Sequence, residues 1–75
     1  MKIGLLYETI GHGNFKGSVV RLMNYVVDDM FPCKIQYVEA YHRGIRNKSL
    51  DGNNDGFREE NLKLLMKMNR NGANS

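Results

Sequence analysis

The apolar positions of the chain form separate stretches, divided by polar segments rich in glycine or asparagine. Residues 2–7 hold a short apolar run, which predicts a strand buried on both faces, as strands of parallel sheets are. Residues 9–17 contain three glycines and predict a loop, because glycine accepts positive φ at little cost. We therefore expect the chain to open with a strand and a glycine-rich loop.

The next apolar stretch, residues 18–31, has the spacing of an amphipathic helix. Ser18 is a typical N-cap residue, and Pro32 ends the segment. Between them, apolar side chains recur at intervals of three and four residues, at Val19, Leu22, Met23, Val26 and Met30. A broad apolar stripe of this kind predicts a core helix that packs on the sheet.

Two further elements are expected in the second half of the chain. Residues 33–41 are rich in β-branched and aromatic side chains, which favour a second strand. Residues 42–56 are polar, and residues 45–50 within them fit either a short third strand or a loop. Residues 57 to 69 or 70 predict a second helix capped by Asp55, because its acidic residues come first and its basic residues last, as the helix dipole favours.

A strand, a helix and a second strand in succession indicate a right-handed parallel crossover. The predicted fold class is therefore α/β, with one domain covering residues 1–75. Its elements follow the order β-α-β(-β)-α, and two helices pack on a two- or three-stranded, at least partly parallel sheet. Residues 70–75 are predicted to form a frayed tail, because asparagine favours turns and irregular chain ends.

The composition indicates association with another chain. A chain of 75 residues has room for one small hydrophobic core. The single cysteine, Cys33, excludes an internal disulfide and a zinc site made of several cysteines, and we expect it to be a buried apolar residue. The remaining support for so small a core is a protein partner or a homo-oligomer.

Charge and hydropathy narrow the class of partner further. The start of the chain lacks the apolar core of a signal peptide, and no stretch reaches membrane-spanning length. We therefore expect a cytoplasmic protein without a membrane partner. The chain has 11 Lys and Arg against 8 Asp and Glu, a formal net charge of +3, which permits nucleic acid as a partner.

The predicted first helix carries its charges in an order that the helix dipole disfavours. Lys16 and Arg21 lie near its N-terminus, and Asp28 and Asp29 lie in its last turns. An anion bound at the N-terminus would reverse this penalty, because free amides and both cations would face it. The alternative is that these side chains extend into water, where salt screens their charges. The candidate anion-binding residues are Gly11, His12, Gly13, Asn14, Lys16, Ser18 and Arg21.

A second basic group follows the second predicted strand. In a parallel strand-helix-strand unit, the loops that leave both strands lie at the same edge of the sheet. Residues 11–17 and 42–48 would then be neighbours and would form a basic edge. The predicted patch in the second loop consists of His42, Arg43, Arg46 and Lys48. The alternative is a solvated loop whose arginines contact nothing.

The glycine-rich loop matches neither of the sharp phosphate-binding signatures. A P-loop has Gly-Lys followed by Ser or Thr, whereas this chain has Lys16-Gly17-Ser18, and the dinucleotide spacing needs a glycine at position 15 or 16. Residues 2–9, with Gly13 and Asn14, resemble the first strand and phosphate loop of flavodoxins, and also the start of two-domain glycosyltransferases. Most hydroxyl residues of the flavodoxin loop are missing and the chain is shorter than either fold, so no activity is carried over from either family, and no cofactor is expected.

Oxygen-bearing side chains at Asp51, Asn53 and Asp55 resemble the first half of a calcium-binding loop. The second half departs from that pattern, because the twelfth position, where such a loop has an acid, is Leu62. The alternative is a turn-rich linker between two elements.

Glu8, His12 and His42 are candidates for a catalytic or metal-binding group at the loop edge of the predicted sheet. A carboxylate and two imidazoles would suit general acid/base chemistry or a two-histidine, one-carboxylate metal site. Histidines in loops without a paired spacing motif more often face solvent, which is the alternative.

These features predict a small, non-enzymatic regulatory or inhibitory binding protein. It would use its basic loop edge to bind an anionic partner, either a nucleic acid or an acidic protein surface. The alternative function is an α/β module that binds a phosphorylated small molecule or nucleotide, with or without catalysis, through residues 11–18.

Overall fold

In the computed structural model, which describes residues 1–66, the chain forms a five-stranded antiparallel sheet and a separate two-stranded hairpin. The strands are β1 (Leu6–Thr9), β2 (Val19–Tyr25), β3 (Cys33–Glu39), β4 (Tyr41–His42), β5 (Ile45–Arg46), β6 (Asn54–Phe57) and β7 (Leu62–Met66). The main sheet has the order β6-β3-β2-β1-β7, and β4 pairs with β5. Single turns of 3-10 helix at Lys48–Leu50 and Glu59–Asn61 precede β6 and β7.

The main sheet buries one face, and its strands alternate accordingly. In β2, Val20 and Leu22 are fully buried, whereas Arg21 and Met23 are exposed. Across the β2–β3 pairing, Leu22 lies opposite the buried Ile35. The buried apolar residues are Tyr7, Val20, Leu22, Cys33, Ile35, Tyr37, Ala40 and Leu62. Partly buried side chains from outside the central strands, including Phe15 and Leu50, pack against this core.

The predicted α/β fold is wrong, because every strand pairing is antiparallel and residues 1–66 contain no α-helix. Residues predicted as the first helix form β2 and a turn. Their three-and-four spacing coexists with an alternation of period two, and valine favours a strand. Because β2 pairs with both β1 and β3, its strand form satisfies the backbone on both sides and still buries Val20 and Leu22.

The predicted second helix is also wrong within the described residues. Asp55 lies in β6 rather than at a helix cap, and Glu59–Asn61 is only a single 3-10 turn. Leu62–Met66 then pairs with β1, whose second edge would otherwise lack a partner. The rest of that predicted helix and the predicted frayed tail lie outside the described residues.

The other predicted elements fare better. The strand predicted over residues 33–41 is confirmed as β3, and Cys33 is buried as expected, which raises the pKa of its thiol. The first strand begins later than predicted, at Leu6. Residues 45–50 contain both a short strand and a 3-10 turn, so neither alternative alone was right.

Antiparallel hairpins replace the parallel crossover expected from the sequence. β2 therefore runs between two different ends of the sheet. Residues 10–18 join β1 to β2 at one end, which we call the loop end. Residues 26–32 join β2 to β3 at the other, which we call the hairpin tip. No helix within residues 1–66 has the length and apolar character needed to cross a membrane.

Candidate anion-binding surface

The loop between β1 and β2 is in direct contact with the β4–β5 hairpin. The Ser18 hydroxyl accepts a hydrogen bond from the Tyr41 backbone N–H (2.8 Å) and donates to the Tyr41 carbonyl (3.2 Å). The Asn14 carbonyl accepts a hydrogen bond from the Arg43 backbone N–H (2.6 Å). The sequence predicted this juxtaposition from parallel strands, but its cause is that β3 leads almost directly into β4 at the end where β2 begins.

Buried polar groups under the loop between β1 and β2 fix its conformation by hydrogen bonds. Thr9 and Ser18 are both fully buried, and the Thr9 hydroxyl accepts a hydrogen bond from the Ser18 backbone N–H (2.9 Å) while donating to the Phe15 carbonyl. The Thr9 carbonyl accepts from the Gly17 backbone N–H (2.9 Å). Ser18 was a candidate anion ligand, but its hydroxyl is buried and bonded to Tyr41. Its role here is to fix the loop.

Phe15 anchors the middle of the loop, and the sequence reasoning overlooked it. Its ring centroid lies 5.5 Å from that of Tyr37 and 5.2 Å from that of His42. Such tilted aromatic pairs contribute roughly 0.5–1.5 kcal/mol beyond area burial. The available signal in the sequence was a lone aromatic residue between glycines. A loop that does not pack on the core has no need of an aromatic side chain. His42 is therefore half-buried against Phe15 rather than free in solvent.

The β4–β5 turn places Arg43 in an unusual conformation. Arg43 and Gly44 both have positive φ, 53° and 81°, which is the pattern of a two-residue type I′ turn. Asparagine, aspartate or glycine normally takes the first of these positions, and other L-residues there cost about 1–2 kcal/mol. Arg43 is exposed, so its side chain gains no core contact in return. The backbone strain at Arg43 is therefore not offset by packing of its side chain.

Arg46 is paired with Asp51 and therefore does not contribute a free charge to the predicted basic patch. Its guanidinium donates to both carboxylate oxygens of Asp51 (2.8 and 2.7 Å) and to the Ala40 carbonyl (3.1 Å). Asp51 also accepts from the Ala40 backbone N–H (2.9 Å). The Arg46 hydrogen bonds, with the one from Ala40, lower the pKa of Asp51 to about 2. This clamp joins β5 to the segment before β6, and it neutralises the Arg46 charge.

The remaining basic residues and the glycine-rich loop form what we call the basic loop surface. Its members are residues 11–16 together with His42, Arg43 and Lys48. Segments 10–18 and 42–48 contain no Asp or Glu. Among residues 1–66, no hydrogen bond uses the backbone N–H groups of residues 11–15. Backbone amides in such turns, flanked by Lys16 and Arg43, are suited to bind an anion.

Two predicted site residues lie elsewhere. Arg21 is on the exposed face of β2, where its guanidinium donates to the Gly4 carbonyl (2.8 Å). Glu8 is in β1, opposite Val19 of β2 and Lys63 of β7 in the strand register. The helix-dipole argument for anion binding no longer applies, because Ser18 and Arg21 precede or occupy a strand.

The other candidate chemistry does not assemble in the described part of the chain. No group of three or more His, Cys, Asp or Glu side chains within residues 1–66 has the geometry to hold a metal ion. Of the calcium candidates, Asp51 is clamped by Arg46, and Asp55 accepts a hydrogen bond from the Tyr37 hydroxyl (2.7 Å). Burial and that hydrogen bond raise the pKa of Tyr37. Asn53 is exposed in the turn before β6.

The chain also has an open groove of about 470 Å³ over β2, β3 and β6. Its lining residues are Met23, Lys34, Ile35, Asn54, Asp55 and Gly56. None of them belongs to the basic loop surface, so the groove is not an extension of that surface.

Comparisons with protein-family models, with curated proteins and with solved structures gave no match. The function therefore has to be inferred from the geometry and electrostatics of the surface itself.

Proposed function

We propose that this chain is a non-enzymatic binding protein whose basic loop surface binds the phosphate groups of a nucleic acid. The observation that carries the proposal is the joining of two carboxylate-free loops through Ser18 and Tyr41. That contact holds exposed cations and available backbone amides side by side. A regulatory or inhibitory role would follow from occupying the nucleic acid.

Phosphate is the anion that best fits this combination of groups. Contacts from Arg, Lys and backbone N–H groups to phosphate oxygens supply most of the affinity of non-specific nucleic-acid binding. Arg43 offers a planar fork of donors, and Lys16 offers a mobile ammonium. The amides of residues 11–15 lie in the same loop as Lys16. The surface is polar and positive, as protein–nucleic acid interfaces are.

The proposal can be tested by fluorescence anisotropy with labelled single-stranded and duplex oligonucleotides at several salt concentrations. We expect affinity to fall as salt rises, with the slope of log K against log salt reduced by about 1 for each phosphate-contacting cation removed. The test variants are Lys16→Gln and Arg43→Gln. Arg21→Gln is the matched control, because it removes an exposed cation that lies outside the basic loop surface.

Three outcomes would contradict the proposal. One is the absence of salt-dependent binding to any oligonucleotide. Another is an equal loss of affinity in Arg21→Gln and in the two test variants. The third is binding of a polyglutamate peptide in preference to oligonucleotides, which would favour an acidic protein surface as the partner instead.

A further inference from the structure

The hairpin tip is an ordered loop that presents apolar side chains to solvent. The Val26 backbone N–H donates to the Pro32 carbonyl (2.9 Å), and the Phe31 N–H donates to an Asp29 carboxylate oxygen (2.9 Å). On this framework Val27 is 72% exposed and Met30 is 70% exposed. A fixed loop that holds two apolar side chains in water has the form of a docking element.

The groove over β2, β3 and β6 lies directly beside this tip. Lys34 lines the groove, and its ammonium is 3.0 Å from an Asp29 carboxylate oxygen of the tip. Met23 contributes an exposed apolar side chain to the same groove. Phe31 packs beside Gly56, the groove residue where an added Cβ would lie 3.1 Å from the Phe31 Cβ. A protrusion and a cavity are thus neighbours on one chain.

The hairpin tip and the groove carry residues of opposite charge, Asp28 and Lys34. Asp28, on the tip, makes no hydrogen bond or ion pair with residues 1–66. Lys34, on the groove wall, has one ion-pair partner and remains partly exposed. We propose that the tip of one copy enters the groove of a second copy and receives that copy's tip in return. Val27 and Met30 would meet Met23 of the other chain, and Asp28 would face Lys34.

A second copy fits better than an unrelated protein because both halves of the contact are present on the same surface. A two-fold dimer requires such self-complementarity, since each patch must meet its counterpart. The distribution of apolar residues supports association: among the described residues, 12 large apolar side chains are exposed and 8 apolar residues form the buried core. Six of the exposed residues lie between positions 23 and 31. The dimer would bury this cluster of exposed apolar side chains.

Sedimentation velocity over a series of protein concentrations tests the proposal without nucleic acid. We expect a monomer–dimer equilibrium whose dissociation constant rises by about tenfold or more in the double variant Val27→Ser, Met30→Ser. Ile45→Ser is the matched control, because Ile45 is also 72% exposed but lies in the β4–β5 hairpin at the loop end. This control should dimerise as the unmodified chain does. Circular dichroism spectra verify the fold of each variant.

A charge exchange provides a second, independent test of the geometry. Asp28→Lys alone and Lys34→Asp alone should each weaken self-association, because each homodimer then contains two like-charge contacts. Mixing the two variants should restore a dimer. In one contact of that mixed dimer the two introduced charges, which have opposite sign, face each other, and in the other contact the native Asp28 and Lys34 do.

Three results would overturn the proposal. The chain could remain monomeric at every concentration reached. It could form a dimer with an unchanged dissociation constant in the Val27→Ser, Met30→Ser variant. Finally, the mixed charge variants could associate no better than each does alone. All three are independent of nucleic-acid binding, so failure here leaves the proposed function to its own test.

Discussion

The two ends of β2 are built in different ways. At the loop end, side chains hold the backbone: Thr9 and Ser18 are buried and hydrogen-bonded, and Arg46 is clamped to Asp51. At the hairpin tip, the fixed groups are mainly backbone, and the side chain of Val27 extends into water. The loop end therefore has a rigid base that positions polar groups. The tip has an apolar surface that its own chain leaves uncovered.

The charge distribution follows the same division. The loops at the loop end carry Lys and Arg without a carboxylate, whereas residues 25–31 carry two Asp and no Lys or Arg. Ends with opposite charge attract different partners. Under the two proposals, one small sheet would serve two interfaces, with an anionic ligand at one end and a second copy at the other.

The largest effect on folding should come from the buried polar group at the loop end. Ser18→Ala removes both hydrogen bonds to the Tyr41 backbone and leaves that residue's donor and acceptor without partners. We expect the free energy of unfolding to fall by about 1–3 kcal/mol. Urea denaturation followed by circular dichroism measures the change. A loss below about 0.5 kcal/mol, the size expected at an exposed position, would show that the Ser18 hydrogen bonds do not stabilise the loop end.

Acid should affect the two ends unequally. The pKa of Asp51 is lowered from its ordinary value of 3.8 to about 2, so its contribution to stability is complete above pH 3.8 and is lost as the pH falls toward 2. The pKa of Asp29 at the tip is also lowered, chiefly by the Phe31 backbone N–H. We expect Asp51→Asn to flatten the decline in stability over this pH range more than Asp29→Asn does. Denaturation midpoints measured from about pH 5 to about pH 2 test the order.

The two ends also differ in how far the sequence predicted them. The glycine-rich loop and the strand after Pro32 follow from the residues, because glycine and β-branched residues constrain the backbone locally. The nearness of the two basic segments was predicted from parallel strands, whereas it arises because β3 leads almost directly into β4. The helix over residues 18–31 was wrong, because the spacing of Val19, Leu22 and Met23 fits a helical stripe while that of Val20 and Leu22 fits an alternating strand. Pairing with β1 and β3 decides between the two, and strand pairing is a long-range property that local spacing does not encode.

The site shows the same limit. Sequence spacing identified the cations, but it did not separate Arg46, which is bonded to Asp51, from Arg43, which is exposed. The hydrogen bonds of Ser18 join residues 23 positions apart, so no local sequence motif could predict them. Aspartate neighbours in the tip were assigned to a helix end, whereas Asp28, with a φ of 69°, belongs to a tight turn. Two adjacent Asp residues between apolar pairs were the signal for that turn.

Arg43→Asn should separate stability from binding at the loop end. Asparagine followed by Gly44 is the favoured type I′ turn, so this variant should be more stable than the unmodified chain by about 0.5–1 kcal/mol. It also removes an exposed cation from the basic loop surface, so oligonucleotide affinity should fall. Thermal denaturation and anisotropy measured on the same preparation test both signs. A variant that is less stable, or one that binds as tightly, would contradict the role given to Arg43.

Substitutions at the hairpin tip should have the smallest effect on the stability of the monomer. Their effect on self-association should appear when stability is measured at several protein concentrations. If the folded chain dimerises through Val27, the midpoint of thermal denaturation must rise with protein concentration, because association stabilises only the folded state. Val27→Ser should weaken this dependence while changing the stability of the dilute monomer by less than about 0.5 kcal/mol. Ile45→Ser, equally exposed at the loop end, should retain it. A concentration dependence that is lost in Ile45→Ser and retained in Val27→Ser would mean that the loop end, rather than the tip, forms the contact between copies.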